Sequence, residues 1–182
     1  MNRAKLIHNL TNYQTSFVEE KAFIPRFISL LTNFHNCYQR TLYTGHITAS
    51  AWIIAIKEKS VLLVHHKKLN RWLQPGGHAD GEEDIINVAV KEAVEETGLK
   101  SLKLHMEEIF DIDIHLIPHY KAVQSHFHYD IRFLFSADIR EQYVLSRESN
   151  KLAWIPMENI DQFVGSNKSI HRMVFKTNLI FK

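Results

Sequence analysis

The chain has 182 residues, 45% of them hydrophobic and 23% charged, and a formal charge of +2. That size suits one ordinary domain with an appendage, and the balance excludes a disordered, fibrous or low-complexity chain. So small a charge selects neither a nucleic-acid coat nor an anionic membrane surface, although twelve histidines add positive charge in mild acid.

Met1 to about Arg40 reads as helical. Ile7, Leu10 and Phe17 fit a first helix, and Ile24, Phe27, Ile28, Leu31 and Phe34 repeat at helical spacing in a second, with Pro25 suited to its first turn. The lone Cys37 falls in this helical lead-in and leaves no internal disulfide. The N-terminus lacks the basic-then-apolar pattern of a signal peptide, and no apolar run approaches the roughly 18 residues that span a bilayer. A cytoplasmic setting with no membrane partner is expected.

The texture changes near Thr44, so residues 1–44 are expected to form a helical extension and residues 45–182 the main domain. Ile47 to Ile56 and Val61 to His65 are rich in β-branched residues and read as strands. Lys67 to Glu83 carries Pro75, Gly76, Gly77 and Gly81 and reads as a long shaped loop. Asp84 to Thr97 shows an apolar face of Ile86, Ala89, Val90, Ala93 and Thr97, with Gly98 where a left-handed helix cap belongs. Alternating segments follow at Phe110 to Leu116 and His126 to Phe135, then a strand at Leu152 to Ile155 stopped by Pro156 and a closing helix from about Asn167. Strands on both sides of a central helix indicate an α/β/α sandwich around a mixed sheet.

On the central helix, Glu92, Glu95 and Glu96 stand at i, i+3 and i+4, which puts three carboxylates on one face within a turn. Like charges so placed repel unless solvent or a cation compensates them, and hard oxygen ligands suit Mg²⁺ or Mn²⁺ better than zinc. An isolated E-x-x-E-E is more often a solvated acidic face. Here the surroundings decide otherwise.

From Gly77 the sequence runs GHADGEEDIINVAVKEAVEETGL. It resembles the box of the Nudix hydrolase family, G-x5-E-x7-R-E-U-x-E-E-x-G-U with U a bulky apolar residue. Gly77, Glu83, Glu92, Glu95, Glu96 and Gly98 fall in register, and Leu99 fills the last apolar place. Six fixed positions, each met at roughly 7% by usage, coincide by chance with a probability on the order of 10⁻⁷ per starting point. Two places depart from the pattern: Lys91 stands where the family has Arg, and Ala93 is a small occupant of an apolar place. Lysine offers a flexible point charge where arginine offers a planar fork, which bears on rate more than on reaction type. Upstream, Trp72-Leu73-Gln74-Pro75-Gly76-Gly77 is similar to the family's W-x-L-P-G-G lead-in, with Gln74 replacing the usual Leu.

The resemblance implies a Nudix-type α/β/α sandwich behind an N-terminal helical extension, and metal-dependent hydrolysis of a pyrophosphate linkage. Nucleoside diphosphates joined to another moiety, ADP-ribose-like or sugar-nucleotide, rank ahead of nucleoside triphosphates. It further implies Glu92, Glu95, Glu96 and the Gly77 carbonyl as ligands of Mg²⁺ or Mn²⁺, Glu83 in support, and Glu92 as general base with Glu148 behind it. Alternatives are a nucleotide-binding module without catalysis, for which loss of a box glutamate would be the usual sign, and removal of pyrophosphate from RNA 5′ ends, for which no basic stripe with interleaved aromatics stands out. An isomerase of isopentenyl diphosphate shares the fold but needs a catalytic cysteine, and Cys37 is expected far from the sheet.

In His126 to Phe135, the residues Phe127, Tyr129, Ile131, Phe133 and Phe135 share one strand face and His126, His128, Asp130 and Arg132 the other. The second face reads either as a metal triad of His126, His128 and Asp130 or as the lining of an anionic substrate pocket. Asp111, Asp113 and His115 repeat the pattern on the preceding segment, so a polar wall results if the two strands are neighbours. His78 and Arg71, with His65, His66, Lys67 and Lys68, lie around the loop expected to face the phosphates, as steering groups or as ordinary surface basicity. His78, His126, His128 and Arg71 are the candidate substrate contacts. Trp52, Trp72 and Trp154 either stack a base or belong to the core. The apolar stripe of the N-terminal helices packs on the domain, meets a second copy as a homodimer or covers the site.

Overall fold

The computed structural model describes residues 1–121 and 123–181. Two compact units divide the chain: Met1–Ser50, Gly77–Ala89 and Met106–Phe133 form the first, and Ala51–Gly76, Val90–His105 and Leu134–Lys182 the second. The helices are α1 (Arg3–Thr11), α2 (Val18–Asn33), α3 (Ile85–Thr97), α4 (Asp161–Val164) and α5 (Lys168–Ile180). The strands are β1 (Gly45–Ala55), β2 (Ser60–His66), β3 (Arg71–Leu73), β4 (Gly76–His78), β5 (Lys103–Leu104), β6 (Asp111–Ile117), β7 (His126–Ser136) and β8 (Ser149–Pro156). Hydrogen bonding orders them β3-β2-β1-β7-β5, with β4 on β1, β6 on β7 and β8 on β2. This is the expected mixed sheet flanked by helices, with helices also at the N-terminus.

In the first unit, Asn2 caps α1 by accepting the Lys5 N–H at 3.0 Å, and the helix buries Leu6 and Leu10. Phe17 falls outside α1, at the N-cap of α2. Pro25 lies in the interior of α2 rather than in its first turn, because the helix starts seven residues earlier, at Val18. Phe27, Leu30 and Leu31 are buried, with Phe27 edge-on to Tyr129 at 5.3 Å, whereas Phe34 is 37% exposed. The N-terminal stripe therefore packs within its own unit. Glu20 is fully buried, and its Oε1 accepts from the Tyr13 hydroxyl at 2.8 Å and the Ile112 N–H at 3.2 Å. Cys37 departs from expectation: it follows α2, it is buried, and its carbonyl accepts the Ile47 N–H of β1 at 2.8 Å. Burial pushes its thiol pKa up, so it is a poor nucleophile despite lying beside the sheet.

β6 and β7 are antiparallel neighbours, with Asp111 opposite Arg132, Asp113 opposite Asp130 and His115 opposite His128. The anticipated polar wall is thus formed, with Asp111, His126, Asp130 and Arg132 buried and His115 partly exposed. Arg132 donates to Asp130 at 2.7 Å and to Asp111 at 3.1 Å, and its other nitrogen lies 3.4 Å from Asp113. Burial alone would weaken its proton, but Asp113, Asp130 and Asp111 outweigh that and hold the guanidinium charged.

The second unit packs around Trp52, Ile53, Ile54, Leu62, Leu63 and Phe135, all essentially without solvent contact. Ile53 to Ala55 pair with Ser60 to Leu62, and β2 also pairs with β3 and, over most of its length, with β8. Trp52 is core, its indole N–H donating to the Thr177 hydroxyl at 2.9 Å. Asn167 caps α5 through the Ser169 and Ile170 N–H groups. The two short strands β3 and β4 stand where the sequence suggests one continuous loop.

Candidate active site

Helix α3 buries Ile85, Val88, Ala89, Ala93 and Thr97. The buried face is thus rotated slightly from the expected stripe, with Ile86 and Val90 only half-buried. Asp84 accepts the Asn87 N–H at 3.2 Å in the first turn, and Gly98 ends the helix at φ +72°. A Cβ on Gly98 would fall 2.9 Å from Val144, so both backbone angle and space call for glycine.

With Ala93 and Thr97 turned inward, the glutamates sit along the boundary of the buried face: Glu92 and Glu96 are half-buried and Glu95 is exposed. Glu96 is fixed by the backbone, its Oε2 accepting the Gly76 N–H at 3.1 Å. The preceding carbonyl, that of Pro75, accepts from Ala51 at 2.9 Å, which ties this turn to β1. Burial, then the charges of Glu92, Glu148 and Glu95, raise the Glu96 pKa to about 7 against the opposing pull of the Gly76 N–H. Glu148 is exposed, lies immediately before β8 as expected, and its charge is felt at Glu96. Lys91 reaches only to 3.9 Å from Glu95, both side chains being largely exposed, so it restrains that carboxylate weakly. Glu83 pairs with Arg3 of α1 at 2.9 Å.

The donor set fits a hard divalent cation. Three carboxylates on one turn of helix set like charges side by side, and oxygen ligands of this kind suit Mg²⁺ or Mn²⁺. Glu92, Glu95 and Glu96 are the residues of this face that would hold it.

The histidines form a second group, within the first unit. His78, His126 and His128 come together, and they are joined by His46 and His115. Ring centroids lie 4.9 Å apart for His78–His128, 5.2 Å for His126–His128 and 5.4 Å for His115–His128. His46 lies 5.1, 4.9 and 5.0 Å from His78, His126 and His128. Burial, and then the neighbouring imidazoles His78, His115, His46 and His126, push His128 down to about 2; burial, then Arg40 and His46, push His78 down to about 4. At neutral pH His78 and His128 offer hydrogen bonds and lone pairs rather than charge. Asp130 does not complete a triad with His126 and His128: its carboxylate accepts from Thr48, Ser50 and Arg132.

His46 escaped the sequence reading. Its signal is the polar alternation His46, Thr48, Ser50 along β1, which matches His126, His128, Asp130 along β7. Gly45 allows the approach: at φ +141°, a Cβ there would meet the Phe127 carbonyl oxygen at 2.7 Å. Arg71 belongs to the second unit, exposed on β3 opposite His66. Trp72 is half-buried, with its ring edge-on to His65 at 5.1 Å and to Phe163 at 5.7 Å.

A model of the NUDIX domain matches residues 45–174. The "Probable DHNTP pyrophosphohydrolase" of Lactococcus lactis subsp. cremoris (strain MG1363) is 28% identical over 138 residues, covering 75% of this chain and 80% of that protein. Among solved structures, a C. elegans Ap4A hydrolase binary complex is similar with a TM-score of 0.57 at 18% identity, covering 74% of this chain and 96% of that one. The MutT protein from Methanosarcina mazei Go1 gives 0.56 at 18% identity, covering 78% and 98%. The E. coli dihydroneopterin triphosphate pyrophosphohydrolase gives 0.55 at 15%, covering 73% and 95%. At these identities the solved structures speak for the fold. Among the described residues, no helix is long and apolar enough to cross a membrane. With the domain match spanning most of its length and Glu92, Glu95 and Glu96 gathered on α3, the chain belongs to the Nudix family and is a pyrophosphohydrolase.

Proposed function

We propose that the protein hydrolyses the pyrophosphate linkage of a nucleoside diphosphate joined to another moiety, with ADP-ribose-like and sugar-nucleotide compounds as the first substrates to try. The observation that carries the hydrolytic part is the α3 carboxylate set, in which Glu96 is half-buried, oriented by the Gly76 N–H and surrounded by Glu92, Glu95 and Glu148. The L. lactis relative favours a second reading, in which the substrate is a pterin triphosphate.

Glu92, Glu95 and Glu96 would hold the divalent ion, Mg²⁺ or Mn²⁺, with the Gly77 carbonyl as a further ligand carried over from the family box. Once bound, such an ion neutralises charge on the diphosphate and activates water for attack on phosphorus. Glu92 is the general base, taking the proton of the attacking water, and Glu148 stands behind it in that role. Lys91 offsets part of the negative charge of the carboxylate face. His78, His126, His128 and Arg71 contact the substrate, the histidines by hydrogen bonding and Arg71 by its charge. A cytoplasmic setting agrees with such substrates.

The test is phosphate and pyrophosphate release from a panel of ADP-ribose, sugar nucleotides, dinucleoside polyphosphates, dihydroneopterin triphosphate and nucleoside triphosphates. Each is run with Mg²⁺, with Mn²⁺ and with chelator, beside Glu96→Gln. Release that needs both metal and Glu96 identifies the substrate class. If every compound binds and none is cleaved, the protein is a nucleotide-binding module instead.

A further inference from the structure

Within the first unit, His46, His78 and His128 each present a ligand atom, and these atoms lie within 4.8 Å of one another. They come from three chain segments: the start of β1, the end of β4 and the start of β7. His46 is 1% exposed, and its Nδ1 lies 3.4 Å from the Leu42 carbonyl oxygen. That contact sets the ring proton on Nδ1 and leaves a lone pair on Nε2. The Nε2 atom is itself buried and meets no hydrogen-bond partner among the described residues. His126 repeats the arrangement, with Nδ1 2.8 Å from the Gln124 carbonyl oxygen and Nε2 only 3.3 Å from Nε2 of His128. A ring N–H held by a backbone carbonyl, with the opposite nitrogen turned into a shared space, is the arrangement that orients histidine toward a metal.

We propose that His46, His78 and His128 form a second metal site that takes a late first-row divalent ion, with zinc as the occupant. His126 is placed to supply the fourth nitrogen or to leave that position to water or a substrate atom. Zinc sits about 2.0–2.1 Å from imidazole nitrogen, so a tetrahedral set needs nitrogen pairs roughly 3.4 Å apart. Rotation of the side chains by about an ångström closes the observed spread. Imidazole ligands select zinc, copper or nickel over magnesium, so the two centres of this chain sort ions by ligand chemistry. With an ion bound, His78 and His128 would act on the substrate through it rather than by direct hydrogen bonds, and the readout is metal binding rather than turnover.

The full-length chain, stripped with chelator and returned to excess Mg²⁺, is titrated with Zn²⁺ against a chromogenic competitor. The bound ion is then examined by X-ray absorption at the zinc edge. Four proteins are compared: wild type, the triple variant Glu92→Gln, Glu95→Gln, Glu96→Gln, and the single variants His78→Asn and His128→Asn, with circular dichroism confirming the fold of each. The expected result is one tightly held zinc per chain with at least three nitrogen ligands. It is retained in the triple variant and weakened in each histidine variant by more than the roughly 10–100-fold that loss of a ligand's supporting partner costs. Zinc held through oxygen and lost from the triple variant, unchanged affinity in both histidine variants, or no zinc bound in excess Mg²⁺ would each overturn the proposal. If the histidine variants do not fold, the ligand count at the wild-type zinc edge decides alone.

Discussion

The glutamates of α3 come from five consecutive residues on one helix, whereas the histidine group draws His46, His78 and His128 from three strands. Helical adjacency forces like charges together, and the strain shows in Glu96, lifted to about 7 by burial and by its neighbours. Strand convergence brings together groups that shed their charge instead, His78 and His128 both being driven down. One arrangement calls for a hard cation to balance it, while the other is electrostatically quiet and offers lone pairs. The difference is one of assembly: local repetition produces repulsion, and long-range pairing gathers imidazoles, of which His78 and His128 are driven neutral.

The comparison breaks most sharply at Glu96. Glu96→Gln should leave the far-UV spectrum unchanged and lower metal-dependent turnover by more than the roughly 10–100-fold expected for a residue that only supports a ligand. Near-normal turnover would remove α3 from the chemistry. On the other side, Arg132→Met strips the cation from Asp111, Asp113 and Asp130 of the β6–β7 pair. Leaving buried carboxylates unpaired should cost about 3–5 kcal/mol by urea unfolding, and a loss below about 1 kcal/mol would mean that these carboxylates are not charged in the folded state.

A pH series sharpens the contrast further. In chelator, folded His78 and His128 refuse protons that the unfolded chain accepts below about 6.5. Their stabilising contribution is therefore complete above that pH and is lost as the pH falls toward 4, at up to about 1.4 kcal/mol per pH unit for each histidine. His46, His115 and His126, together with Arg40 and Asp80, share the local field. Melting temperature should drop from pH 7 to pH 5 in the wild type and drop less in His128→Asn; parallel curves would place the acid lability elsewhere. The smallest effect is expected at Lys91, whose amine only grazes Glu95. Lys91→Arg should raise turnover by no more than a few-fold, since a planar fork holds a carboxylate better than a point charge does. A larger gain would make ligand rigidity the limiting factor in the wild type.

These two regions also differ in how far the sequence discloses them. The glutamates were legible because helical periodicity is local, and the same holds for the Gly98 cap and the Asn167 cap. The β6–β7 wall was half legible, as alternation reveals which residues share a face but not which strand lies alongside. His46 was missed because its importance depends on β1 meeting β7, a pairing between residues some eighty positions apart. The partners of Asp130 are hidden for the same reason, since Thr48 and Ser50 claim it from β1. Pro25 misled in another way: proline favours a first turn, yet the packing of Phe27, Leu30 and Leu31 carries α2 through it. Cys37, expected in the helical lead-in, is instead a backbone partner of β1.

The buried Glu20 bears on how this chain can be handled and how it can change. Its carboxylate joins Tyr13, before α2, to the backbone of Ile112 in β6. A shortened version starting at Gly45 would leave the Ile112 amide without that acceptor and would expose the apolar surface that Phe27, Leu30 and Leu31 now cover. The helical lead-in is therefore not a severable ornament. Trimming it for expression, or exchanging it for another protein's, should yield an aggregating product unless Glu20 and the surface it completes are replaced as well.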